Sequence, residues 1–364
     1  MRIGIVGGGL AGSLLAWRLA QQPGSAEVLL APGPAGAADA TAASGGAVRG
    51  YEVQPAQRAL ALASMAELTA DDVLRQWSGF TDCGSVFLPA EAGAELADVV
   101  EEINATLAGS ARLVDAAELA RDGWAGLTED RIGIFERQAG YLDPDRFRRA
   151  LLADLAGRRR VALLPAGQVG ELGPDGFTVA GERHRCDLVV LAAGAWTPAV
   201  LRAAGFDDGG LTTKSIQYAI HQVSGALPTT FVDDRSGLFG KPVPGGRLLL
   251  GLPTDGWSVP PSGVPADREL AARAAALATS TFPALRLHSA LPPVAAIDCY
   301  AESGLLALRP VPGTGGRLVT FTGGSGSAAK TVLAASRRAA GQLIEDGAPA
   351  PAALAGGGVR PGRT

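Results

Sequence analysis

Histidine and cysteine are both scarce in this chain of 364 residues, at 3 each. Cys83, Cys186 and Cys299 make no metal-ligand spacing and no disulfide framework, which fits a reducing compartment, with the cytoplasm as the default expectation. No apolar run approaches the ~20 residues that cross a bilayer. Strand-like residues begin at Arg2, leaving no room for the charged and apolar regions of a signal peptide. Lys and Arg total 32 against 36 Asp and Glu, a net charge of −4. No broad basic field therefore favours nucleic acid or an anionic membrane surface. Hydrophobic residues at 47% and charged ones at 19% describe a globular chain. Its length suits one large or two intimate domains.

Glycine is abundant, and three of its clusters carry the chemistry. In the first, Ile3, Ile5 and Val6 read as a strand, Gly7, Gly9 and Gly12 follow in G-x-G-x-x-G spacing, and Leu14, Leu15, Ala16 and Leu19 read as a helix. Such a strand–turn–helix suits a dinucleotide pyrophosphate: one glycine turns tightly, one admits the ligand, and one lets helix and strand pack. The helix N-terminus adds N–H donors and a partial positive charge. Glu27 to Leu30 reads as the second strand. An Asp or Glu for ribose hydroxyls is expected near its end, yet Ala31, Pro32, Gly33 and Pro34 stand there. That absence weakens an NAD reading and leaves FAD to be held by other contacts.

The middle of the chain is organised by helix and turn signals. Ala42 to Glu52 is a small-residue loop whose one cation, Arg49, is either a ligand contact or a solvated surface arginine. Helices are expected over Pro55–Leu68, Asp71–Trp77 and Glu95–Leu107, with a strand at Gly84–Pro89. Asp143 before Pro144 suits an N-cap and first helical position. Val161–Leu164 reads as a strand, and Glu171–Arg183 has the punctuation of a β-hairpin. Asp187 to Trp196, DLVVLAAGAW, reads as a buried parallel strand running into a second glycine corner. Lys214–Val223 and Arg247–Leu252 suit an antiparallel sheet over a pocket, and Asp267–Ala278 a helix. Val294–Tyr300 carries Cys299 back towards the first domain. A third strand–glycine–helix entrance is LVTFTGGSGSAAKTVL, Leu318 to Leu333.

The ordered set GGGLAG, LAAGAW and TGGSGSAAK, with GYLDP at Gly140 to Pro144, resembles the D-amino-acid oxidase superfamily of FAD enzymes, nearest its glycine oxidase and sarcosine oxidase branch. The resemblance runs from residue 1 to about 345. It implies an α/β fold: a Rossmann-like FAD-binding domain from discontinuous segments (1–50, 141–206 and 300–345) plus a mostly antiparallel α+β substrate domain (51–140 and 207–299). Residues 346–364 then form a flexible tail. It also implies hydride transfer from the α-carbon of an amino acid or N-substituted amino acid to flavin N5, hydrolysis of the imine, and reduction of dioxygen to hydrogen peroxide. The cofactor carries the electrons, so the lack of a histidine triad is no obstacle.

Implied cofactor contacts are Gly7, Gly9, Leu10, Ala11 and Gly12 at the first corner, and Ser44, Gly45, Gly46 and Arg49 in the loop. Val169, Ala193, Gly194 and Trp196 follow, then Gly323, Gly324, Ser325, Gly326, Ser327 and Ala328. By the same resemblance Lys330 matches a lysine that pairs with the substrate carboxylate, Arg49 matches a flavin-side arginine that faces either the flavin or the substrate, where it would help Lys330 hold the carboxylate, and Lys241 lines the pocket. Cys299 falls where some members join sulfur to the flavin; the alternative is a buried small residue. The chain departs from the branch at three places. It has leucines where a lysine assists oxygen (Leu248 to Gly251), Ser327 in place of a histidine, and no arginine near Cys299. Sarcosine itself is therefore not the expected substrate. The competing function classes are a flavin monooxygenase, which lacks its usual Gly-Asp segment here, and a catalytically idle nucleotide-binding protein.

Overall fold

The computed structural model describes residues 1–22, 26–34, 39–91, 93, 95–226 and 228–345; the expected tail, 346–364, lies outside them. The apolar run at the start forms the strand Arg2–Val6, with Ile3 and Ile5 fully buried. It pairs in parallel with Glu27–Ala31 on one side and Leu188–Leu191 on the other, placing Ile3 between Val28 and Leu188. Val161–Leu163 and Leu318–Thr322 extend the parallel ladder outward, and Ala307–Pro310 closes one edge antiparallel. Among the described residues this is a six-stranded sheet. Near-continuous apolar strands such as Leu188–Leu191 suit it because parallel strands are covered on both faces.

On one face Phe177 and Val179 pack against Val6, Ala31, Val189 and Leu191; helices supply the cover on the other. Leu10–Gln21 buries Leu10, Leu14, Leu15 and Leu19 and packs against Pro144–Ala156 and Ala328–Glu345. In Ala328–Glu345 the buried Val332, Ala335, Ser336, Ala339 and Leu343 recur at helical spacing. Pro144–Ala156 starts as expected: the Asp143 side chain accepts the Arg146 N–H at 2.9 Å and Pro144 takes the first turn.

A second, nine-stranded sheet among the described residues draws on 85–136 and 212–300. Its longest strand, Thr212–Ser224, is antiparallel to Arg247–Gly251, Arg286–Ala290 and Val294–Tyr300. One pair, Thr230–Asp233 with Ser85–Leu88, runs parallel. Its second core holds Trp124 edge-on to Phe231 and Phe282, with ring centroids 5.5 and 4.8 Å apart. Long strands with alternating burial are what a sheet with one covered face requires.

Two expectations change in detail. The hairpin at Glu171–Arg183 is a three-stranded meander, Val169–Gly173, Gly176–Val179 and Glu182–Arg185, because Ala180 and Gly181 at φ 50° and 82° make a second tight turn. The loop Ala42–Glu52 contains the end of a short helix, Ala40–Ala43, and a two-residue strand, Ala47–Val48, paired with Gly140–Tyr141. That pairing draws Arg49 inside, so it is buried rather than solvated. Among the described residues no helix is long and apolar enough to cross a membrane.

Candidate active site

The first glycine corner is closed by backbone. Gly7 has φ 118°, and a Cβ there would sit 2.3 Å from the Ala192 carbonyl oxygen of the second corner. A Cβ on Gly12 would lie 2.0 Å from the Gly7 oxygen, so Gly12 serves the packing of helix on strand and does not line the cavity. Gly9 caps Leu10–Gln21 with no side chain in the way, and the Leu10 N–H donates to Thr41 Oγ1 at 3.0 Å. The positive end of that helix therefore opens into a cavity.

The cavity measures about 770 Å³ and joins both sheets, within the size usual for a cofactor or ligand site. Gly7, Gly9, Leu10 and Ala11 line it, as do Ser44, Gly45, Gly46 and Arg49. So do Val169, Ala193, Gly194 and Trp196 from the middle of the chain. Gly323, Gly324, Gly326, Ala328 and Lys330 line it from the third corner, and Lys241 from the large sheet. Ser325 and Ser327 do not. The Ser325 hydroxyl accepts the Ala301 N–H at 3.2 Å, and the Ser327 hydroxyl donates to Glu52 Oε2 at 3.4 Å.

A buried ion cluster stands where the loop meets the first turn of Ala328–Glu345. The Lys330 ammonium contacts Glu52, whose carboxylate also lies 3.3 Å from Arg49 Nη2. A lysine in the first turn of a helix opposes the helix dipole, and Glu52 offsets that. Arg49 is held further by donating from Nε to the Tyr51 carbonyl at 3.1 Å and by stacking 4.9 Å over Phe87. Behind it, Glu136 accepts the N–H groups of Gly50 and Tyr51 at 2.7 and 2.8 Å. Burial alone would raise the Glu52 carboxyl, but Lys330 and then Arg49 outweigh it and hold it below the ordinary carboxylate range. Burial, with Arg49 adding repulsion, lowers Lys330. Burial raises Glu136 despite its two N–H donors.

Lys241 stands apart. Its Nζ sits 4.0 Å over the Tyr141 ring, among the described residues it has no ion-pair partner, and burial lowers it to about 8. It is directly across the ladder from Leu249, one of the leucines at the position where the resemblance expects a lysine. Lys214, which the sequence reading passed over, also lines the cavity, its Nζ 4.6 Å over Trp257 and its backbone register opposite Asp298.

Cys299 is corrected by register. On Val294–Tyr300 successive side chains point to opposite faces, so Asp298 and Tyr300 line the cavity and Cys299 does not. The thiol is buried beside Thr322, and burial pushes it up to about 11, away from the reactive thiolate. The structure thus gives no basis for a tether through Cys299. Asp298, which receives the Cys299 and Gly326 N–H groups at 2.8 and 3.0 Å and is raised by burial, holds the cavity-facing position.

Other functional candidates also escaped sequence reading. Asp39, well beyond the point where a ribose acid was sought, lines the cavity, caps Ala40–Ala43 by accepting the Ala42 N–H at 2.8 Å, and pairs with Arg148. Its signal was an Asp just before a short run of helix formers. Glu52 carried no local signal, since its partner Lys330 is remote in sequence. The glycine cradle that a Cβ would fill, the helix N-terminus and the apolar wall of Ile216, Tyr218 and Leu249 together fit a dinucleotide with a flat ring system.

Comparison with known proteins agrees with that geometry. The family model described as FAD dependent oxidoreductase (DAO) matches residues 2–342. No curated protein sequence matches the chain. L-proline dehydrogenase from P. horikoshii superposes with a TM-score of 0.78 at 18% identity, over 96% of this chain and 94% of that one. Glycine oxidase from Bacillus cereus gives 0.69 at 18%, over 96% of each. Iminodiacetate oxidase from Chelativorans gives 0.70 at 18%, over 97% and 98%. At such identities the likeness is one of fold.

Proposed function

Because the chain belongs to the DAO family of FAD-dependent oxidoreductases, we propose that it oxidises the C–N bond of an amino acid or N-substituted amino acid. The amine becomes an imine that water hydrolyses, and the two electrons and two protons pass on to dioxygen as hydrogen peroxide. Bound FAD supplies the two-electron acceptor. The observation that carries the reading is that three glycine corners and one face of the large sheet meet around a single cavity bordered by Arg49, Lys241 and Lys330.

The residues divide the work by chemistry. Gly7, Gly9, Leu10 and Ala11 with the helix N-terminus would hold the pyrophosphate, while Gly12 keeps helix and strand in contact behind it. Ser44, Gly45, Gly46, Ala193, Gly194, Trp196, Gly323, Gly324 and Gly326 would border the rest of the cofactor, leaving room for a ring near their backbone. Arg49, pinned by Glu52 and Phe87, is a positioning residue for that wall. Lys330 and Lys241 are the cationic groups that would meet the substrate, and the apolar Ile216, Tyr218 and Leu249 exclude water around it.

Anaerobic mixing of the yellow protein with a panel of amino acids, their amides and N-alkyl glycines tests this. Bleaching of the flavin absorbance by members of the panel is expected, with one peroxide released per imine when air is admitted. Bleaching by NADPH alone, or by nothing in the panel, would overturn it.

A further inference from the structure

Glu52 alters what the Lys330 wall of the cavity can accept. Its carboxylate already fills the space between two cations, in contact with Lys330 and 3.3 Å from Arg49, with the Ser327 hydroxyl closing a third side. A substrate carboxylate arriving at Lys330 would have two courses. It could displace Glu52, which strands a buried charge without its partner. Or it could lie beside Glu52, where like charges repel. Two cations, Arg49 and Lys330, thus already share a carboxylate that belongs to the protein, Glu52.

The wall still offers hydrogen atoms. An ammonium has three donors, and Glu52 receives one side of Lys330 while Lys330 still borders the cavity. Lys241 also borders it on the large-sheet side, with Tyr141 beneath its Nζ. Lys330, rich in donors but already paired with Glu52, suits a neutral carbonyl oxygen better than an anion.

We propose that the substrate presents a masked carboxyl group, an amino-acid amide or ester whose carbonyl oxygen accepts from Lys330, and that Glu52 is the residue that sets this preference. The inference rests on the C–N oxidase reading above. Lys330 and Arg49 then act as a donor surface, with Glu52 taking the place that a free α-carboxylate would occupy.

The test compares each amino acid with its own amide on the flavin-loaded wild-type protein, using pH-independent kcat/KM so that the differing amine basicities cancel. The amide is expected to be preferred about 10-fold or more. Separately, the oxidised protein is titrated with propanoate and with propanamide, following the flavin absorbance. Propanamide should bind the more tightly, and Glu52→Gln should tighten propanoate about 10- to 100-fold, as one charge-assisted contact becomes available. A wild-type preference for the free acid, whether read at Lys241 or elsewhere, overturns the inference, as does a folded Glu52→Gln protein with unchanged propanoate affinity. Should that variant fail to fold, the wild-type comparison decides alone. A preference for free acids sinks only this inference; bleaching by neither acids nor amides sinks the oxidase reading beneath it.

Discussion

The cavity has two walls made in opposite ways. At the first glycine corner, contact is backbone on backbone, and a Cβ at Gly7 would sit 2.3 Å from the Ala192 oxygen. At Lys330 the wall is side chain on side chain, with Glu52 shared by Lys330 and Arg49 in a buried setting. The first wall cannot take added atoms, and the second cannot lose a charge. Sterics governs one and electrostatics the other, so substitutions should fail differently at each.

The largest effect is expected at the charged wall. Glu52→Gln leaves Lys330 and Arg49 facing each other without a carboxylate between them, and should cost about 3–5 kcal/mol in denaturant unfolding. Glu52 is held below its unfolded value, so its contribution is present above about pH 4 and disappears as pH falls through the folded value. Wild type should therefore lose stability on acidification more steeply than Glu52→Gln; parallel acid limbs would erase the distinction between the walls.

Next comes the backbone wall. Gly7→Ala should cost about 1–3 kcal/mol from its φ of 118° alone, and the protein should purify with little flavin. Full flavin occupancy at an unchanged Tm would show that this corner is not the cradle.

A third measurement sharpens the contrast between Lys330, paired with Glu52, and Lys241, which has no ion-pair partner among the described residues. The folded Lys241 titrates near 8 and the unfolded one near 10.4. Between those values the unfolded chain binds more protons, so stability should rise with pH, by about 1–3 kcal/mol in all. Lys241→Met should flatten that rise, as followed by Tm from pH 7 to 10. The smallest effect concerns Cys299: acid precipitation of wild type should leave the yellow colour in the supernatant, and Cys299→Ala should behave identically. Colour retained in the wild-type pellet alone would place the thiol at the flavin after all.

Much of the parallel sheet was legible in the sequence because its signals are local. Ile3, Ile5 and Val6 followed by Gly7, Gly9 and Gly12 define strand, turn and helix within one short stretch, and Asp143 with Pro144 marks a helix start. The ion cluster was not legible, since Glu52 and Lys330 are remote in sequence and only the tertiary fold brings them together. Arg49 could be read two ways until the pairing of Ala47–Val48 with Gly140–Tyr141 drew it inside.

Sequence alone thus determined the glycine corners, their order and the helix that follows each strand, because backbone conformation and hydrophobic period act over a few residues. Tertiary structure alone decided which charges meet and which face each strand shows. Cys299 and Asp298 make the point: adjacent in the chain, they point to opposite sides of one strand, so a single step of register moved the thiol into the core and the carboxyl into the cavity.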